Sequence, residues 1–206
     1  MKRLAIVMLC AAACGKGSGK SGGGDKAGGG TADAAAANAA IPAAWKSKVS
    51  FEVKTLGGEE DKHADKVSVP VPKGWKKGFL DGSVEPPDGN NDYGFGTKML
   101  VGGGCQGECK VKSSAEWAKA ADESMFNNLL AHTPPPKVIK DEKKDGRRTM
   151  IAEDTNTDGN VNNTTVVTAW WKDGAERFYF CDVTLAPESK DLAPAFEKAC
   201  LAAVEQ

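Results

Sequence analysis

Residues 15–44 contain almost no large apolar side chain, and this composition limits where a core can form. The segment reads GKGSGKSGGGDKAGGGTADAAAANAAIPAA. Such a segment buries too little apolar surface to offset the entropy lost on ordering the chain. We therefore predict that residues 14–44 form a disordered, flexible tether. One globular domain is expected over residues 45–206, a length that suits a single domain.

The first 13 residues have the layout of a secretory signal peptide. Met1-Lys2-Arg3 is a short basic head, and LAIVMLCAAA is an apolar run that ends in small residues. The run is too short to cross a bilayer as a helix, which takes about 20 apolar residues. We predict that residues 1–13 are removed during export.

The stretch LCAAAC, which ends at Cys14, resembles the lipobox of bacterial lipoproteins. The resemblance covers residues 1–14 and implies cleavage before Cys14, whose sulfur would carry diacylglycerol and whose amine would be acylated. In that family an Asp after the cysteine favours retention in the inner membrane, so Gly15 implies an outer-membrane anchor. Ala11 stands where the family prefers Leu. An ordinary signal peptide cut by a different peptidase is the alternative.

The segment CGKGSGKS, residues 14–21, nearly matches a nucleotide-binding loop, but Cys14 replaces its first glycine. Such a loop must open a helix, and each Gly in the tract that follows costs a helix about 1 kcal/mol relative to Ala. We therefore expect no nucleotide. The 27 Lys and Arg are balanced by 28 acidic residues, so no basic surface for nucleic acid is expected either.

Four cysteines remain in the predicted domain, namely Cys105, Cys109, Cys181 and Cys200. An even number in an exported domain indicates two disulfides, for which three connectivities exist. Flanking glycines in GGGCQGECK favour Cys105 with Cys109, because a tight turn can bring their Cα atoms within about 4.4–6.8 Å. Cys181 would then pair with Cys200. A redox-active pair or a zinc site at Cys105 and Cys109 is the alternative.

Periodic segments predict an α+β fold, with an antiparallel β-sheet and two main helices packed on it. Strands are predicted at 49–55, 66–72, near FLDG (79–82), and at 92–103, 137–144, 147–154, 164–172 and 176–185. Asp145-Gly146 and Asp173-Gly174 are expected to be two-residue hairpin turns. Ser113 and Glu116 predict a capping box for a helix that ends before TPPP. A second helix is predicted over residues 190–205.

The order of these elements resembles the PsbP-like fold of small exported lipoproteins and photosystem accessory proteins. The resemblance is carried by VPVPKGW, SAEWAKAA, DGRRTMIAE, TVVTAWW and ERFYFCDVTL, and covers most of residues 49–205. It implies no catalytic residue, and it implies a binding or assembly role by analogy with the fold.

The loop DTNTDGNVNNTT, residues 154–165, partly matches a calcium-binding loop. Its candidate ligands are Asp154, Asn156, Asp158 and Asn160, whose spacing can supply the oxygens that a hard cation needs. Thr165 replaces the usual bidentate Glu, and strands flank the loop. A polar hairpin loop is the alternative, because Asn, Asp and Gly favour turns.

Adjacent Trp170 and Trp171 are predicted to point to opposite faces of the sheet, one into the core and one to a helix or a contact surface. Neither His63 nor His132 lies in a catalytic motif, so no enzymatic activity is predicted. The sequence predicts a lipid-anchored envelope protein whose domain binds or scaffolds an envelope protein partner. The alternatives are a calcium-responsive domain and, third, an uncatalogued enzyme.

Overall fold

A computed structural model describes residues 31–58, 66–88, 91–104, 113–171 and 177–206. These residues form an α+β domain with antiparallel strands and short helices, which confirms the predicted fold class. Within these ranges, no helix has the length and apolar character needed to cross a membrane.

The described part of the chain contains four short α-helices and ten strands. The helices are α1 (Ala35–Ala39), α2 (Ser114–Ala121), α3 (Asn127–Leu130) and α4 (Ala193–Leu201), and a π-helical turn, Asp122–Phe126, joins α2 to α3. The strands are β1 (Phe51–Leu56), β2 (Val67–Pro72), β3 (Lys76–Lys77), β4 (Ser83–Glu85), β5 (Lys98–Gly104), β6 (Lys137–Lys144), β7 (Arg147–Thr155), β8 (Val161–Trp170), β9 (Phe178–Leu185) and β10 (Val204–Glu205).

The strands form two antiparallel sheets rather than the single sheet expected. The small sheet has the order β1-β2-β10, and the large sheet has the order β3-β4-β5-β9-β8-β7-β6. Strands β6 to β9 form a meander of sequential neighbours, as their alternating pattern predicted.

Both faces of the large sheet are covered by apolar packing. One face, termed the α4 face, carries Ile151, Val166 and Val183 and packs in one cluster with α1, α4 and the small sheet. The other, termed the α2 face, carries Met150 and Val167 and packs against α2 and the π-helical turn. Since successive strand residues point to opposite faces, neighbouring side chains on one strand enter different environments.

The N-terminal boundary of the domain differs from the prediction. Residues 35–39, which the sequence assigned to the tether, form α1, which packs on α4 with Ala37 fully buried. The Asn38 amide holds this helix to β1: its Nδ2 donates to Phe51 O (3.0 Å) and its Oδ1 accepts from Phe51 N (2.7 Å). The small Ala side chains let α1 pack closely on α4. The sequence prediction missed this helix because it considered only large apolar side chains.

Two further element predictions are wrong, and one is confirmed in detail. FLDG lies in the turn between β3 and β4, where Gly82 has φ +77° and an added Cβ would lie 2.2 Å from Val101 O. The last helix ends at Leu201, because the chain then turns into β10. The capping box is present, with Glu116 Oε2 accepting from Ser113 N at 2.9 Å and Ser113 Oγ accepting from Glu116 N at 3.4 Å.

Candidate functional site

A cavity of about 340 Å³ lies between the β6–β7 hairpin and α4. Its cationic side chains are Lys140, Lys144, Arg147 and Lys198. Its acidic side chains are Glu142, Asp145 and Glu197. The described lining therefore carries four formal positive charges and three negative ones. The volume of the cavity is within the range of small-ligand pockets in proteins.

Strand pairing brings these groups to one face. Lys144 pairs with Arg147 and Glu142 pairs with Thr149 across the hairpin, so all four side chains point toward α4. The hairpin closes at Asp145-Gly146, whose φ angles of 52° and 71° are both positive. That backbone suits a two-residue turn with Asp-Gly, as predicted.

Lys140 is held between two carboxylates at the cavity wall. Its Nζ lies 2.6 Å from Glu197 Oε1 and 2.9 Å from Glu142 Oε2. Glu197 is only 7% exposed, and its hydrogen bond, followed by that of Glu142, raises the pKa of Lys140. The hydrogen bond from Lys140 likewise lowers the pKa of Glu142. Lys140 and Glu142 are therefore charged at neutral pH, and Lys140 satisfies an oxygen of each carboxylate.

Arg147 has a different environment at the same wall. Its guanidinium carbon lies 4.6 Å from the centre of the Trp170 ring, and its Nη2 donates to Ala203 O at 2.7 Å. Its Nη1 is buried and has no hydrogen-bond partner in the described part of the chain. Burial lowers the pKa of Arg147, opposed by the charge of Glu205. A guanidinium keeps its charge in proteins, so the N–H donors of Nη1 remain unsatisfied in the described part of the chain.

Trp170 supports this arginine instead of presenting a contact surface. The ring is 5% exposed, stacks on Tyr179 with 5.8 Å between ring centres, and donates through Nε1 to Glu205 Oε2 at 2.9 Å. Trp171 is half-buried and packs on the other side, with the cluster on the α2 face. The predicted alternation is confirmed, but Trp170 as an interaction surface is a wrong assignment, because the ring forms part of the core.

Of the four predicted calcium ligands, two have side-chain partners within the protein, and the other two donate backbone N–H groups. Asp154 ends β7 and its Oδ2 lies 3.4 Å from His132 Nδ1. Asn156 Oδ1 accepts from the backbone N–H groups of Asp158 (3.0 Å) and Asn160 (2.9 Å). These two hydrogen bonds occupy both lone pairs of that oxygen. The segment therefore has the geometry of a polar hairpin turn, and across the described ranges no group of three or more His, Cys, Asp or Glu could hold a metal ion.

The predicted cysteine sites fall into two groups. Cys181 and Cys200 join β9 to α4 in a disulfide with 5.5 Å between Cα atoms, as predicted. Cys14, Cys105 and Cys109 lie outside the described residues, so lipidation and the second disulfide stay predictions.

A second cavity, of about 330 Å³, lies between β1 and the β3–β4 turn. Its Lys54 donates to Trp75 O at 3.2 Å and pairs with Glu52. Asp81 accepts from Gly58 N at 3.0 Å and from Gly82 N at 3.1 Å. Trp75 Nε1, in the same lining, is buried without a hydrogen-bond partner in the described residues, but an indole is neutral. This cavity therefore offers an anion less than the one beside the charged Arg147.

Asp182 is a buried carboxyl group on the α2 face. Its Oδ1 has no hydrogen-bond partner among the residues described. Burial raises its pKa to about 6, opposed by the charge of Lys98. The residue is not fully buried, and it lines neither of the two cavities.

Sequence reasoning did not single out Arg147. The signal was present in the dipeptide Arg147-Arg148, which directly follows a two-residue turn. Alternation in the following strand must send one of these side chains to each face of the sheet. With only four arginines in the chain, at positions 3, 147, 148 and 177, such a pair is conspicuous.

Comparisons with known proteins give little further information. No protein-family model matches the chain, and no curated protein matches it. Among solved structures, the Ran-binding protein Mog1p of Saccharomyces cerevisiae is similar, with 8% sequence identity and a TM-score of 0.44. The match covers 75% of this chain and 95% of Mog1p. A score this low supports no inference about what this chain binds, and the PsbP-like resemblance stays a prediction.

Proposed function

We propose that this protein is a lipid-anchored envelope protein, attached through Cys14 to the outer membrane, whose α+β domain is a binding or scaffolding module and not an enzyme. The observation that carries the binding role is the cavity beside Arg147, where a buried guanidinium N–H lacks a partner within the described ranges. Unsatisfied buried donors are costly, so a site that retains one is suited to receiving an acceptor from outside.

The protonation states in the cavity favour binding over catalysis. An acid–base catalyst works best with a pKa near the operating pH. In this cavity the hydrogen bond with Glu197 raises the pKa of Lys140, and the hydrogen bond with Lys140 lowers the pKa of Glu142. Both pKa values thus move away from neutrality. These groups are suited to holding fixed charge rather than to transferring a proton.

The anchoring part of the proposal rests on LCAAAC and on the Gly-rich residues that follow Cys14. A Gly- and Ser-rich segment of this kind, between the anchor and α1, would let the domain stand off the membrane and reach partners. This tether ends before α1, and not at residue 44 as the sequence predicted, because α1 belongs to the domain.

Intact mass spectrometry of the full-length protein from its native membrane fraction tests the anchor. We expect a chain that starts at Cys14 and carries acyl groups. Reduction should add four hydrogens if both predicted disulfides are present. An uncut, unlipidated mass with free thiols would overturn the envelope assignment.

The binding role is tested separately, by the size of the assembly that mild detergent extracts from the same membranes. We expect wild type to migrate as a complex larger than the monomer, and Arg147→Met to reduce that complex. Lys73→Met is the matched control, since Lys73 is exposed in the turn after β2 and lines neither cavity. Migration of wild type solely as a monomer would contradict the scaffolding role.

A further inference from the structure

We propose that the cavity between the β6–β7 hairpin and α4 binds a small organic carboxylate, whose oxygen accepts a hydrogen bond from Arg147 Nη1. This inference rests on the proposed function and deepens it, because it assigns the binding module a class of ligand.

The geometry of Arg147 is already fixed without a ligand. Trp170 lies under the guanidinium at 4.6 Å, and Ala203 O holds Nη2 at 2.7 Å. Trp170 is itself held by Glu205. Nη1 is covered in the unliganded protein, so side chains of the lining must move to admit the acceptor. Because the guanidinium is already oriented, little of its own side-chain entropy would be lost on binding.

The charge balance favours a monoanion. Lys140, Lys144, Arg147 and Lys198 outnumber Glu142, Asp145 and Glu197 by one formal charge in the described lining. Lys140 is committed to Glu197 and Glu142. One carboxylate would neutralise the excess among the lining residues, and the charge of Glu205 already acts on Arg147 from outside the lining. A phosphate dianion would place an additional negative charge near these carboxyl groups.

The shape and lining favour an organic anion over a bare ion. A cavity of about 340 Å³ holds more than a carboxylate group alone. Leu201 also lines it, and the alkyl stems of lysine side chains supply further apolar surface. A ligand with a carboxylate at one end and a compact apolar body fits both parts of the lining.

Benzoate is a suitable probe, and the indole N–H signal of Trp170 is a local reporter because Trp170 stacks on Arg147. The full-length chain would be titrated with benzoate in ¹H–¹⁵N NMR, with benzamide as the neutral analogue and phosphate as the dianionic one. We expect a saturable shift of the Trp170 signal with benzoate, a weaker effect with phosphate and none with benzamide. Equal responses to benzoate and benzamide would overturn the requirement for charge.

Two variants locate the site. Arg147→Met removes the donor while keeping an apolar side chain over Trp170, and should weaken benzoate binding at least about tenfold. Lys198→Glu changes the formal charge of the lining from +1 to −1 and should also weaken it. Lys198 is exposed on α4, so this variant keeps the test decisive if Arg147→Met fails to fold. Lys73→Met and Lys73→Glu are the controls matched in charge.

Unchanged affinity in Lys198→Glu and Arg147→Met, or no saturable shift in wild type through the millimolar range, would overturn the carboxylate site. Those results would not affect the lipid anchor or the membrane complex, which are tested by intact mass and by the size of the extracted assembly. Failure of this inference is therefore distinguishable from failure of the proposed function.

Discussion

Arg147 and Arg148 are adjacent in sequence but are used in opposite ways. Arg148 points to the α2 face, where its Nε and Nη2 donate to Asp141 at 3.0 and 2.7 Å and its Nη1 donates to Asp122 at 2.6 Å. Arg147 points to the α4 face, where its Nη2 donates to a backbone carbonyl. Both guanidinium groups lie over aromatic rings, that of Arg148 over Phe126 and that of Arg147 over Trp170. The difference lies in the acceptors.

This difference separates a structural charge from a binding charge. Arg148 ties the β6–β7 hairpin to the π-helical turn, and its charge is compensated within the protein. The hydrogen bond from Arg148 lowers the pKa of Asp141. Burial would raise the pKa of Asp122, but hydrogen bonds from Lys143 and Arg148 outweigh it and lower that pKa. Arg147 is equally well positioned but retains a donor that the described residues do not satisfy.

The largest expected effect on stability is that of Arg148→Met. This change leaves Asp122 and Asp141 without their shared partner. Arg148 is covered but its two carboxylates are partly exposed, so the loss of free energy of unfolding should be a little more than about 2 kcal/mol. Urea unfolding at neutral pH measures it. Benzoate affinity should be unchanged under conditions where the variant is folded. A stability equal to that of Lys73→Met would show that Arg148 is not structural.

Asp182→Asn should have the next largest effect, in the opposite direction. The folded pKa of about 6 lies above the ordinary value of 3.8, so the folded state holds this proton more tightly than the unfolded state does. The group's contribution to stability is therefore complete below about pH 4 and is lost as the pH rises through about 6. We expect the variant to be about 2 kcal/mol more stable than wild type at about pH 7.5, and the difference to disappear near pH 4.

The comparison of wild type with Asp182→Asn isolates this carboxyl group, because Asp122 and Asp141 titrate in both proteins. Their lowered pKa values favour the folded state above their unfolded pKa values and lose that contribution as the pH falls. A stability difference between the two proteins that does not vary with pH would contradict the raised pKa of Asp182, whose Oδ1 is buried without a hydrogen-bond partner among the described residues.

Arg147→Met should change stability far less than Arg148→Met. The variant loses a hydrogen bond and a cation–π contact, but it also removes a buried charge that is incompletely compensated. We expect a change below about 1 kcal/mol in urea unfolding. A loss as large as that of Arg148→Met would mean that Arg147 serves the fold, and the contrast between the two arginines would fail.

Calcium should have the smallest effect. Asn156 Oδ1 already accepts two backbone N–H groups, so the residue 154–165 loop would have to rearrange before it could surround a cation. We expect no increase in the thermal unfolding midpoint at millimolar calcium, since a ligand stabilises only the state that it binds. A clear increase would restore the calcium-responsive alternative.

The sequence predicted those parts of the fold that depend on local pattern. The meander of β6 to β9, the Asp145-Gly146 turn and the capping box at Ser113 all follow from periodicity or from turn and cap chemistry. The pairing of Cys181 with Cys200 was also predicted correctly. Apart from that disulfide, these features need only neighbouring residues to be specified.

The sequence did not predict features that depend on distant contacts. Residues 35–39 fold because Asn38 meets the backbone of β1 and small side chains pack on α4. The short β10 forms because the chain turns after α4 to pair with β2. The site depends on Ala203 and Glu197 reaching the β6–β7 hairpin from far along the chain, with separations of 56 and 57 residues. No local sequence pattern predicts these long-range contacts.

NMR spectroscopy of the guanidinium N–H groups would test the contrast between the two arginines most directly. The chain has four arginines, so the signals of Arg147 and Arg148 can be assigned by substitution. We predict that benzoate shifts the Arg147 signals and slows their exchange with water, while those of Arg148 stay unchanged. Arg147 signals that do not respond to benzoate, or a response confined to Arg148, would contradict the assignment of Arg147 as the group that receives the ligand.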